Sequence, residues 1–188
     1  GTTVETPSKL TEADLLKQGY QLKWQDNFDG AFLNRADWNV ELHEKGWVNS
    51  EWQEYVDSDK NIQVKDGKLL IKPVETVNAD GTRSYTSGRI NTQGKHDFKY
   101  GYFECRAKVP TGKGYLPAFW MMPTDENLYG QWPKCGEIDI MEVMGQETNK
   151  AYGTIHYGEP HDQSQGTCTV DAKNNFADQY HTYACDWE

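Results

Sequence analysis

The stretch Gly136-Glu137-Ile138-Asp139-Ile140-Met141-Glu142 sets three carboxylates into an otherwise apolar run. Ile138, Ile140 and Met141 with the following Val143 predict a buried β-strand. Carboxylates are seldom buried without a specific reason. Side chains on a strand alternate between faces, so Glu137 and Asp139 share one face. Glu142 lies five positions from Glu137, and strict alternation would turn it to the opposite side. A one-residue β-bulge between Asp139 and Glu142 returns all three acids to one face. Three acids in a row repel one another and push their pKa values apart. That arrangement lets one fold hold a protonated acid beside an ionised nucleophile. A merely solvated acidic strand would not account for the lack of Lys on that face. Nor would it account for Trp132 and Pro133 just before it, or Trp120 and Met122 upstream. The stretch reads as catalytic.

Composition narrows the chemistry. The chain has 188 residues, which suits one domain. Seven Trp, eleven Tyr and six Phe bring the aromatic content to 13%, enough to supply flat stacking surfaces as well as core. A net charge of −10 argues against nucleic acid as a partner, which needs clustered Lys and Arg. It also disfavours a strongly anionic polymer as a ligand. No apolar run approaches the roughly 18 residues of a membrane-spanning helix, and no membrane partner is expected. Cys105, Cys135, Cys168 and Cys185 are not spaced as a zinc site. Two, one or no disulfides remain open, with free thiols the default for their strand-like surroundings.

Along the chain, residues 1–19 form a polar N-terminal extension. Gly1-Thr2-Thr3 reads as a processed start, and a short helix is expected at residues 12–18 behind a Thr11 cap. Residues 20–188 form the catalytic domain. There, Asp66-Gly67 joins two apolar runs as a hairpin. Asn78-Ala79-Asp80-Gly81 and Pro110-Thr111-Gly112-Lys113-Gly114 are loops. Many short strands with few helices predict an all-β fold, a sandwich or jelly roll of two antiparallel sheets.

Trp132-Pro133 followed by Gly136 to Glu142 resembles the active-site strand of glycoside hydrolase family 16. The longer, bulged form of the motif is that of laminarinase-like β-1,3-glucanases. Tyr85-Thr86-Ser87-Gly88-Arg89-Ile90, Tyr100-Gly101-Tyr102-Phe103-Glu104 and Pro117-Ala118-Phe119-Trp120-Met121-Met122-Pro123 look like the strands before that site. Asn49-Ser50-Glu51-Trp52-Gln53 upstream and Gly153-Thr154-Ile155-His156-Tyr157-Gly158 downstream also fit, so the resemblance runs from about Leu22 to Glu188.

The resemblance implies a jelly roll with a concave cleft and an endo-acting, retaining β-glucan hydrolase. Its substrate would be β-1,3-glucan (laminarin) and mixed-linkage β-1,3-1,4-glucan. Glu137 would be the nucleophile, Glu142 the general acid/base, and Asp139 the residue between them. His156 would lie beside the acid/base, Trp120 and Trp132 would stack on sugars, and Asn49 and Arg89 would bond them. Leu116 stands where a second Trp is common, which unsettles the linkage preference. No cofactor or metal is required for catalysis. A structural calcium ion is common in the family, and Asp26-Asn27-Phe28-Asp29-Gly30 resembles one edge of its site. The family's C-terminal strands have no counterpart in the sequence, so a second polypeptide or fragment completing the fold is expected. Polymeric substrate implies secretion. A galactan hydrolase of the agar or carrageenan type and a non-catalytic glucan-binding module are the alternatives, and a binder would be expected to have lost one of the two Glu residues.

Overall fold

The computed structural model describes residues 10–188, and Gly1-Thr2-Thr3 lies outside the described residues. Helix α1 (Glu12–Lys17) starts as the sequence predicts. Thr11 accepts a bond from the Asp14 N–H, and the Asp14 carboxylate accepts one from the Thr11 N–H, a reciprocal capping box. Beyond it, contacts divide the chain into two compact units.

The first unit, Leu22–Asp97, holds strands β1 (Asn39–Val40), β2 (Gln53–Tyr55), β3 (Ile62–Lys65), β4 (Lys68–Ile71), β5 (Val74–Val77), β6 (Arg83–Ser87) and β7 (Ile90–Asn91). Asp66 and Gly67 both adopt positive φ, 53° and 71°, and close β3 onto β4. A two-residue turn with that handedness matches the twist of the paired strands. β2 runs parallel to β6, a departure from the antiparallel expectation. Three intervening strands separate the two in sequence, and parallel neighbours need such a long crossover. Leu33, Ile62 and Val64 form this unit's core, with Phe28, Trp38, Val40, Leu69 and Ile90 packed on it.

The second unit holds β8 (Gly101–Ala107), β9 (Ala118–Met121), helix α2 (Glu126–Tyr129), β10 (Glu137–Val143), β11 (Lys150–Tyr157), β12 (Asp162–Thr169) and β13 (His181–Trp187), with the residues up to Gln21. Four strands form an antiparallel sheet in the order β12-β11-β10-β9, and β13 pairs with β8 along its whole length. β13 packs across β10. Met141 and Val143 from β10, Ala151, Val109, Val170, Phe176 and Tyr183 form the core between them. β10 is therefore anchored by the face opposite its acids. Cys105, Cys135 and Cys185 are free thiols, each half-buried.

Met141 is 3% exposed, so Met141→Ala should cost about 2–5 kcal/mol. Urea unfolding measures that loss, and an unchanged midpoint would show that β10 is not held by this cluster.

Candidate active site

Both neighbours of β10 record the bulge. Asp139 pairs with Thr154 and Glu142 with Tyr152, so three steps on β10 meet two on β11. On the other side Asp139 pairs with Trp120 and Met141 with Phe119, two steps against one. Ile140 is the extra residue. Residues paired across a sheet point the same way, so Glu137, Asp139 and Glu142 share a face with His156, Thr154 and Trp120. Gly136, at φ 88°, makes the sharp entry into the strand that only glycine adopts without strain.

One oxygen each of Glu137 and Asp139 and one ring nitrogen of His156 lie within 4.8 Å of one another. Asp139 is only 4% exposed and bonds His156 Nε2 through Oδ2 at 3.0 Å. Burial pushes the Asp139 carboxyl up to about 9, aided by hydrogen bonding to Glu137 and by the charges of Glu137 and Glu142. Burial also raises Glu142; Asp139, which hydrogen-bonds it, opposes that rise, and the charge of Glu137 adds to it. At neutral pH the group therefore holds a proton on Asp139, between two glutamates. Trp132 donates its indole N–H to Glu137 Oε2 at 2.7 Å while its ring stays 44% exposed.

The sequence reading set His156 beside Glu142. The register instead pairs it with Glu137, and its direct bond is to Asp139, while Glu142 feels it only electrostatically. His161, not singled out in the sequence, lies in the turn before β12. Its Nε2 is 2.9 Å from His156 Nδ1, and its ring packs 5.0 Å from Trp132. A histidine five residues on through a tight turn carries no periodic signal.

Asn49 and Arg89 lie in the first unit. Asn49 and Ser50 both take positive φ in the turn before β2. Arg89 donates from Nε to Glu41 Oε2 at 2.9 Å, with its guanidinium 5.0 Å from the Trp47 ring and 5.7 Å from Tyr55. Glu41 also bonds His43, whose ring stacks 3.4 Å from Trp47. Burial works to raise Glu41, yet bonds from His43, Arg89 and Asn91 outweigh it and hold the carboxyl below its ordinary value. Trp52 is largely exposed beside Tyr85. In the segment that resembles a calcium edge, the first acid is engaged by protein donors. Asp26 bonds the Phe28 N–H and the Trp38 indole, and no trio of acidic or imidazole side chains converges there among the described residues.

The family model for glycosyl hydrolases family 16 matches residues 47–188. The chain belongs to glycosyl hydrolase family 16. It is 41% identical to the glucan endo-1,3-beta-glucosidase A1 of Niallia circulans, over 95% of this chain and 28% of that protein. It is 42% identical to the glucan endo-1,3-beta-glucosidase of Cryptopygus antarcticus, over 88% of this chain and 62% of that one. The catalytic domain of an endo-1,3-beta-glucanase (laminarinase) from Thermotoga petrophila superposes with a TM-score of 0.79 at 35% identity, over 89% of this chain and 70% of that structure. The chain thus spans about a quarter to three fifths of these two curated relatives. Its architecture is the all-β jelly roll of this family's laminarinases.

Within this family 16 site, the raised Asp139 pKa has a consequence for stability. Below the ordinary value of 3.8 the carboxyl is protonated folded or unfolded. Between 3.8 and about 9 only the unfolded chain gives up the proton, so stability falls as pH rises through that window. Asn is isosteric with the protonated acid and does not titrate. Asp139→Asn should therefore gain melting temperature relative to the parent as pH is raised from about 5 to 9. A gap of equal size at both ends, measured by calorimetry, would show that Asp139 ionises normally.

Proposed function

We propose that this chain carries the catalytic centre of an endo-acting, retaining β-glucan hydrolase. Its substrate is internal β-1,3-linked glucan of the laminarin type, with mixed-linkage β-1,3-1,4-glucan as a second substrate. The observation that carries this reading is the convergence of Glu137, Asp139 and Glu142 on one face of a bulged strand, with a proton held between them. The names of the relatives, glucan endo-1,3-beta-glucosidases and a laminarinase, point to the same substrate class.

Glu137 attacks the anomeric carbon and forms a glycosyl-enzyme, while Glu142 protonates the departing oxygen. Glu142 then takes a proton from water, which releases the sugar with its original configuration. The raised pKa of Glu142 suits the acid step, because the group must arrive protonated. Asp139 keeps its own proton and bonds its neighbours, which prevents three like charges from meeting. The Trp132 indole N–H fixes one Glu137 oxygen and leaves the other for attack. Two carboxyl groups supply the whole of this chemistry, and no step calls on a metal or an organic cofactor.

Trp120, on the acid face, and the exposed ring of Trp132 are the proposed sugar platforms. Asn49 and Arg89 are proposed sugar contacts of the first unit, with Arg89 oriented by Glu41. The enzyme acts outside the cell, where polymeric glucan is found. A further polypeptide segment or fragment completes the sheet formed by β8 and β13, each of which has one strand partner among the described residues.

Product analysis on laminarin, barley β-glucan and agarose, with any co-purifying fragment retained, tests the substrate class. Glu137→Ala should abolish turnover, and Glu142→Ala should cost about 10²–10⁴-fold on glucan. The Glu142 variant should regain rate on substrates with good leaving groups and yield a β-glycosyl azide when azide is added. An α-configured first product from the parent enzyme, seen by proton NMR, would refute the assigned roles. Trp132→Phe keeps a ring and drops the N–H, so kcat should fall by about 10–100-fold. A change confined to KM would make Trp132 a platform only.

A further inference from the structure

His156 uses both ring nitrogens. Nε2 lies 3.0 Å from Asp139 Oδ2, and Nδ1 lies 2.9 Å from His161 Nε2. A contact between two imidazole nitrogens is a hydrogen bond only if one carries a proton and the other a lone pair. Asp139 keeps its proton for the glutamates, so its Oδ2 accepts, and His156 must donate from Nε2. Neutral His156 is then left with a lone pair at Nδ1, and His161 must donate from Nε2. All donors run one way, from His161 through His156 to Asp139 and on to the glutamates. His161 is exposed to solvent and packs against Trp132, whose own N–H holds Glu137.

We propose that His161 is a positioning residue of the active site: its N–H bonds His156 Nδ1 and so keeps the His156 proton on Nε2, aimed at Asp139. The proposal rests on the hydrolase reading for its effect on rate, and on geometry alone for its effect on His156. The titratable groups facing His156 are Glu137, Asp139 and Glu142 from β10 and His161 from the turn, and its partner on β12 is the neutral Gln163. Water in place of His161 could donate or accept, so it would select neither tautomer.

Two substitutions separate this role from simple packing. His161→Phe keeps a ring against Trp132 and removes the N–H. His161→Gln removes the ring and keeps an N–H donor of similar reach. Nitrogen-15 correlation spectra of the full chain with labelled histidine should show His156 protonated at Nε2 in the parent and in the Gln variant. The Phe variant should show averaged tautomers. On laminarin, His161→Phe should lose about tenfold in kcat with KM little changed. His161→Gln should recover most of that loss. An unaltered His156 tautomer in the Phe variant would overturn the proposal, as would a Gln variant as impaired as the Phe variant. A loss seen in KM alone would also overturn it and make His161 a sugar contact. Absence of hydrolysis by the parent would instead refute the glucanase reading, and the spectra would still decide the role of His161.

Discussion

One extra residue in one strand governs this site. Without Ile140 as an unpaired step, β10 could present Glu137 and Asp139 on one side but would have to send Glu142 into the core. With it, the acids stay together and Met141 and Val143 fall on the packed side, where Val143 is fully buried. The same device thus satisfies two demands with opposite polarity on one seven-residue strand. The apolar face fixes the backbone rigidly enough for the acidic face to be placed without its own packing.

Bringing the acids together creates a second constraint, because three negative charges in a half-buried row are not tolerated. Asp139, the most buried of the three, resolves it by keeping a proton. Everything near Asp139 is organised around that proton. His156 reaches it from β11, the glutamates flank it on β10, and Trp132 secures the outer glutamate from the preceding turn. The polar character continues across the sheet, where Gln165 donates to the buried Thr154 hydroxyl. Polar groups with little access to water are here matched to one another, as burial requires.

Much of this was legible in the sequence, for reasons that are local. The bulge follows from counting positions between Glu137 and Glu142 against a period of two. The Asp66-Gly67 hairpin and the Thr11 cap are written in adjacent residues whose backbone preferences are strong. What escaped is long-range or lacks periodicity. The parallel pairing of β2 with β6 depends on a crossover of three strands. The bond from Arg89 to Glu41 joins residues 48 apart, and that between Trp132 and Glu137 passes through a turn whose path no propensity specifies. Which acid bonds His156 directly follows from the register across β10 and β11, and not from the composition of either strand.

The double use of Trp132 bears on how enzymes built this way can diversify. Its ring is open to solvent while its nitrogen is committed to the Glu137 carboxylate. Phe offers no donor, and the hydroxyl of Tyr lies at a different reach and angle from an indole N–H. A lineage under selection for a new ligand cannot exchange this residue for another ring without also disturbing Glu137. Drift in specificity is therefore channelled to positions free of that commitment, such as exposed Leu116 in the loop before β9. β10 and its tryptophan would then be inherited as a unit, with novelty accumulating at the margins of the site.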